Sequence, residues 1–301
     1  TNFIKRLFQS APPAHSNPKI VGLMPARNEG SKLEFALRAL SEISDAIVFL
    51  DDASTDDSVD IVKSLEKTCN IERIIIREPH GLSYDDLENR TLLLEAGRNI
   101  GGTHFIVMDA DESFTSNCIK NDKLRKEILK LRPGDSLAVW WIQLWRSTDQ
   151  YRHGDQSSWD RNMKRMIFCD DGKTNYKSGF AHFSLIPKFK KRRRLKLGRA
   201  YGLLHFQFVN WDNLFIKQQW YCWMEKVNLP DKSIEDIRKR YHKSIDESNL
   251  KCLKCPPEWL SGYPYFNASV FDEPDQWRRD QMTQWLEEYG DDFFQGLELK
   301  P

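Results

Sequence analysis

Two stretches of this chain pile up carboxylates where an apolar run stops. Phe105–Glu112 reads FIVMDADE, and Ala46–Asp52 reads AIVFLDD. Clustered carboxylates repel one another and are costly to desolvate, so positive charge belongs beside them. Carboxylate oxygens are the preferred ligands of Mg2+ and Mn2+, which typically take one or two protein carboxylates plus substrate phosphates. Asp109 and Asp111, spaced D-x-D at a strand end, therefore predict a clamp for a metal-bound diphosphate, the cation arriving with a nucleotide. Taken alone, the motif also fits a solvated acidic turn.

The elements that carry these residues follow from periodicity. Lys19–Met24, Ala46–Leu50, Arg73–Glu78 and His104–Met108 are short apolar strand candidates. Helical patterns separate them at Ser31–Leu40, Asp56–Leu65 and Asp85–Asn99. Ser31 and Glu34 read as a capping box at the first helix start. Strands alternating with helices predict an α/β fold with a mostly parallel central sheet and helices on both faces. Ligands of such sheets bind at the carboxyl ends of the strands. That logic puts PARNE, DDAST and DADE on one edge, with Asp51, Asp52, Asp109 and Asp111 facing one crevice. Leu137–Trp145, KRMIFC and AHFSLIP read as further strands of a mixed sheet, and Phe208–Lys226 as an aromatic-rich helix. Residues 1–18 read as an arm, 19–228 as the main domain and 229–301 as an accessory helical extension.

The combination VGLMPARNEG, IVFLDDASTDDSV, YDDLENRTLLLEAG and HFIVMDADE resembles family 2-like glycosyltransferases of the GT-A fold. The resemblance covers roughly the first 115 residues and continues more weakly to about Lys226. It implies a nucleotide-binding half (19–115) and an acceptor half (116–228), and a hexosyltransferase-type enzyme moving sugar from a nucleotide-diphosphate sugar, UDP- or dTDP-linked, to a glycan, lipid-linked or other hydroxyl acceptor. By the same resemblance, Pro25, Ala26, Arg27, Asn28 and Glu29 lie along the base and ribose. Asp52 pairs with the base and Asp51 supports it, with Asn89 and Arg90 beside them. Asp109 and Ala110 meet the ribose or metal, Asp111 is a direct ligand of Mn2+ or Mg2+, and Glu112 is a ligand through water or a supporting acid.

The resemblance also implies a more C-terminal histidine that completes the metal site; His205, ending an apolar strand candidate, suits that role by position, and imidazole binds Mn2+ well. His182 is its rival. An inverting transferase needs a carboxylate near the acceptor hydroxyl. Asp155, Asp160 and Glu225 are candidates, Asp160 foremost because it follows a polar loop; it equally suits a cap. Arg161, Lys164 and Arg165 could neutralise leaving diphosphate, and Trp159, with polar neighbours, could face the acceptor.

Bulk properties exclude some classes. The net charge of +1 argues against nucleic acid as a partner. No run is apolar enough to span a bilayer, and the six scattered cysteines suit reduced thiols, so a cytoplasmic location is expected. The basic run 188–196 is a candidate contact for anionic lipid headgroups at a membrane surface. Cys252 and Cys255 lack the second close pair of a structural zinc site and read as ordinary thiols. Two rival readings stand: a sugar nucleotidyltransferase, which would want more glycine in the first loop, and a non-catalytic nucleotide-sugar binder, which would not need a metal clamp.

Overall fold

The structure, a computed structural model, describes residues 17–79, 86–155, 157, 159–160, 162–177, 184–190, 193–198 and 201–299. Its elements in chain order are β1 (Ile20–Ala26), α1 (Gly30–Ser41), β2 (Ala46–Asp51), α2 (Ser58–Leu65), β3 (Ile71–Ile76), α3 (Asp86–Asn99), β4 (His104–Val107) and β5 (Glu112–Phe114). Then come α4 (Lys123–Ile128), β6 (Ser136–Gln143), β7 (Gln150–Arg152), β8 (Met163–Cys169), β9 (Arg194–Lys196), β10 (Gly202–His205) and α5 (Trp211–Asn228). The chain closes with α6 (Ile234–His242), β11 (Cys252–Lys254), α7 (Gln276–Tyr289) and α8 (Asp291–Phe294).

One sheet runs in the order β3-β2-β1-β4-β8-β6-β10-β5, with β9 beside β6. The first four strands are mutually parallel, β8 runs against both β4 and β6, and β10 is parallel to β6. The carboxyl ends of β1, β2, β4, β6 and β10 therefore share one edge. Alternate residues of each strand serve opposite faces. Ile20 and Met24 pack under α1 and α2 with Leu33, Leu37 and Val62, whereas Val21 and Leu23 meet Leu93 and Leu94 of α3. Gly22 permits the close approach of α1, because a Cβ there would stand 2.5 Å from Leu40 Cδ2.

The start of α1 differs from the capping box expected of Ser31 and Glu34. The helix begins at Gly30, and no side chain of its own caps it. Its first amides are satisfied from the loop after β2: Asp56 Oδ2 accepts from Gly30 N (3.1 Å) and Ser58 Oγ from Glu29 N (3.2 Å). Ser31 is already inside the helix, so the local motif is bypassed by a tertiary cap. The C-terminal region is more than a helical extension. Its β11 pairs with β7, and the buried residues Trp285, Phe294 and Leu297 share a core with Trp145, Phe208 and Leu214. Of the strand expected at AHFSLIP, the first three residues lie outside the described residues and Ser184–Pro187 form no strand.

Candidate active site

The sheet register gathers the acids. Asp109 and Asp111 follow β4, and Glu112 opens β5 opposite His205 of β10. On its other side His205 is in register with Gln143 at the end of β6. Two lysines supply the positive charge that the acids require. Lys164 of β8 places Nζ 3.0 Å from Asp109 Oδ2 and also bonds the buried Glu112 carboxylate. Lys217 of α5 places Nζ 3.1 Å from Asp111 Oδ2. Trp141 Nε1 donates to Glu112 Oε1 (2.7 Å), and Glu112 Oε2 accepts from Asp109 N (3.2 Å). Burial pushes the Glu112 carboxyl up despite Lys164. Burial acts the same way on Asp111, but Lys217 and His205 outweigh it and hold that carboxyl well below the usual range.

His205 is stacked on Trp141 with centroids 4.7 Å apart. Its Nδ1 lies 2.6 Å from Gln143 Oε1, and its Nε2 lies 3.6 Å from Asp111 Oδ2. The amide oxygen requires a proton on Nδ1, so Nε2 turns toward Asp111 and needs a proton or a metal ion between them. Two ligands about 2.1 Å from one ion stand roughly 3–3.5 Å apart, and an imidazole anchored through its other nitrogen is the usual form of a metal ligand. Asp111 and His205 thus fit a divalent cation. Asp109 is not gathered with them as expected, because its carboxylate is turned onto Lys164. Among the described residues no three His, Cys, Asp or Glu side chains stand together as a metal-binding group.

Two cavities meet here. The smaller, about 400 Å³, is lined by Pro25, Ala26, Arg27, Arg90, Asp109 and Ala110 on one side and by Trp141, Trp159, Trp220 and Trp277 on the other. The larger, about 800 Å³, runs from Asn28 and Lys32 past Asn213 to Asn267 and Asp280. Glu29, Asp111, Gln207, Lys217, Trp277 and Arg278 line both. Trp277 and Arg278 come from α7, and Arg27 lies over the Trp277 ring at 5.6 Å. The buried Arg27 Nε, Arg278 Nε and Trp277 Nε1 have no acceptor among the described residues. Such unmatched donors are costly unless a ligand supplies acceptors.

The first loop is tied to the second. Asn28, at φ 54°, accepts through Oδ1 from Thr55 N (2.7 Å) and donates its own N–H to Ser54 Oγ (2.9 Å). Asn tolerates this left-handed backbone better than most residues. Asp51 Oδ2 accepts from Ser54 N at 2.9 Å, and its Oδ1 has no partner among the described residues. Asp52 lies 3.5 Å from Arg77, whose guanidinium also bonds Asn89 (2.5 Å) and Glu88. Asp51 and Asp52 are buried behind the crevice and line neither cavity.

Residues 23–191, more than half of the chain, match the family described as Glycosyl transferase family 2. The chain belongs to that family. As a family 2 member it is a glycosyltransferase, and its sheet is the GT-A arrangement. No curated protein matches it at a significant level. Among solved structures it is similar to the mannosyltransferase PcManGT from Pyrobaculum calidifontis in complex with GDP-Man and Mn2+, at 11% identity over 97% of this chain and 88% of that one, TM-score 0.44. It is also similar to S. aureus TarS 1-349 in complex with UDP, at 12% identity over 93% and 81%, TM-score 0.38. Glucosyl-3-phosphoglycerate synthase from Mycobacterium tuberculosis matches at 19% identity over 32% of this chain and 35% of that one, TM-score 0.24.

Other residues singled out as candidates lie apart from this glycosyltransferase crevice. Asp160 does not line either cavity: Arg152 Nε holds its Oδ1 at 2.5 Å, and Ser157 N donates to its Oδ2 at 2.8 Å. Glu225 is bound by Lys232, Arg240 and Tyr241, and Asp155 is exposed. Arg165 supports β6 by donating to Ser136 O at 3.1 Å. In the basic run, Phe189 is buried and Arg193 pairs with Asp135. Arg161 and His182 lie outside the described residues. Cys252 and Cys255 are thiols. Sequence reasoning missed Arg77, Gln143, Lys217, Trp277 and Arg278. Lys217 had a signal: it is a lone cation in NLFIKQQWYCW, three and four residues before Trp220 and Tyr221.

Proposed function

We propose that this glycosyltransferase holds a nucleoside-diphosphate sugar in the smaller cavity and transfers its sugar to a hydroxyl entering through the larger. The observation that carries this reading is the meeting of the two cavities at Asp111, Glu29 and Lys217. Arg27, Arg90 and Arg278, with unmatched N–H groups on the first and last, suit the anionic diphosphate. The tryptophans opposite suit a sugar ring. The base of a uridine or thymidine donor would have to extend beyond the smaller cavity to bring its imide N–H to Asp51 and Asp52, which Ser54 and Arg77 hold.

Asp111 and His205 would hold Mn2+ or Mg2+. Bound there, the ion would supply Lewis-acid neutralisation of the leaving diphosphate. Lys164 and Lys217 add charge to the same end of the cavity. Glu29 and Asp111 are the carboxylates that border both cavities; Asp111 pairs with Lys217 and Glu29 with Lys32. With Asp111 given to the metal ion, Glu29 is the carboxylate left to take the acceptor proton. The acceptor oxygen bonds to the anomeric carbon, the carbon–oxygen bond to phosphate breaks, and the diphosphate leaves with the electron pair.

The larger cavity favours an uncharged, hydroxyl-rich acceptor such as the sugar end of a glycan, lipid-linked or not. Carboxylates of Glu29, Asp56, Asp57, Asp111, Glu273, Asp275 and Asp280 outnumber the cations Lys32, Lys217 and Arg278 there, which disfavours an anionic acceptor. Exposed Lys188, Lys190, Arg194 and Lys196 would suit contact with anionic headgroups beside such an acceptor. The test is nucleotide release from UDP-, dTDP- and GDP-sugars with Mn2+ or EDTA, paired with thermal shift. Glu29→Gln should lose turnover by roughly 10²–10⁴-fold while still being stabilised by donor. Failure of every nucleotide sugar to stabilise the protein or to be turned over would sink the reading.

A further inference from the structure

Asp111 Oδ2 is the oxygen a divalent cation would need, and Lys217 already stands on it. The ammonium lies 3.1 Å from that oxygen. It projects from α5, where Trp220 and Tyr221, one turn on, stand on the same face and line the same cavity. The charged and titratable groups around it are Asp111, Tyr221, Glu29 and Arg278. An ammonium and a divalent ion compete for one carboxylate oxygen, because their mutual repulsion at such short range is strong.

Lys217 has somewhere to go. Its side chain is a flexible stem with a point charge and three donors, and it borders both cavities. The smaller of these carries the unmatched donors of Arg27 and Arg278, which suit a diphosphate. Resting on the transferase reading above, we propose that Lys217 is an exchange cation. It neutralises Asp111 in the empty enzyme, and it moves onto a phosphate oxygen of the donor when a metal ion takes Asp111. A metal ion alone must expel an ammonium that then has no partner. A metal ion arriving with a diphosphate gives that ammonium a new one. Metal and nucleotide binding are thereby coupled, and each tightens the other by the same factor. Lys164 cannot play this part, since it is fixed between Asp109 and Glu112.

The test reads Mn2+ binding and not turnover. Free Mn2+ is measured by electron paramagnetic resonance for the wild-type protein, Lys217→Met and Lys217→Arg, each with and without saturating UDP. In the wild type, UDP should tighten Mn2+ binding by about 10–100-fold, within the usual range of coupling. Lys217→Met, which keeps the stem and removes the charge, should bind Mn2+ alone about 10-fold tighter than wild type, and the UDP effect should shrink by about the same factor, leaving the part due to direct phosphate ligation of the ion. Lys217→Arg should keep the wild-type pattern. Lys217→Gln provides the same comparison should the methionine variant fail to fold, as checked by circular dichroism. A charge-free variant that binds Mn2+ alone no tighter than wild type, while UDP still strengthens Mn2+ binding to wild type, overturns the exchange and leaves the transferase reading standing. Absence of Mn2+ binding to wild type with or without UDP removes the metal assignment, and this inference with it.

Discussion

Two buried ion-pair clusters in this molecule look alike in composition and differ in their surroundings. In one, Arg152 and Asp160 are both buried, Arg152 rests over the Trp145 ring at 4.8 Å, and its Nη1 donates to Asp246 O at 3.1 Å. In the other, Lys164 rests over the Trp141 ring at 4.9 Å and pairs with Asp109 and Glu112, while Lys217 pairs with Asp111. Both satisfy the rule that buried charge is paired. The first is shut: a Cβ on Gly154 would come within 2.7 Å of Asp160 Oδ2. The second opens on two cavities, so a ligand can take over one partner's role. Burial and pairing do not mark a reactive carboxylate. The room to exchange its counter-charge does.

The sharpest way to break this comparison is to neutralise one acid in each cluster. Asp111→Asn should lower turnover by about 10³-fold or more, the scale of losing a charge-stabilising group at a reacting centre. Its unfolding free energy should change far less than that of Asp160→Asn, since the cavity leaves Lys217 access to water. A steady-state assay with urea unfolding on the same samples measures both.

Asp160→Asn leaves the Arg152 guanidinium buried without its counter-charge and should cost about 3–5 kcal/mol of stability. Activity per folded molecule should hold. Undiminished stability with lost turnover would reverse the contrast and restore Asp160 as the base.

A third variant sharpens the reactive side. Asp52→Ala should weaken UDP binding by about 1–3 kcal/mol, the cost of removing a hydrogen-bond partner from a polar ligand. Calorimetry would show it, and tighter binding of GDP than of UDP would count against the assignment. The smallest effect belongs to the shared cap. Asp56→Ala removes the acceptor for Gly30 N and should cost α1 about 1 kcal/mol. Thermal unfolding registers that loss, and an unchanged midpoint would show that the tertiary cap is idle.

The first four strands of the sheet were legible in the sequence because their signals are local. Apolar runs gave β1, β2 and β4, and the acids at their ends fell on one sheet edge as parallel pairing requires. Asp111 and His205 lie side by side although 94 residues separate them, because β10 pairs with both β5 and β6. What stayed hidden depends on distant contacts. Nothing in NLFIKQQWYCW says that Lys217 meets Asp111 and not solvent. The sequence QWRRDQM likewise does not reveal that Trp277 and Arg278 reach the crevice. Asp160 misled for the converse reason: a polar loop in sequence became a closed salt bridge once Arg152 was folded against it.

The placement of Trp277 and Arg278 also sets an order in time. One part of the smaller cavity's lining is complete by Asp111, whereas another waits for residues 277 and 278. At about 5–20 residues per second of synthesis, roughly ten to thirty seconds separate the two parts on a growing chain. Until residue 277 is made Arg27 has no indole above it, and until residue 217 is made Asp111 stands without the lysine of α5. The earlier half emerges as an open, acidic sheet edge, and the chamber is enclosed only after residue 278 has been made.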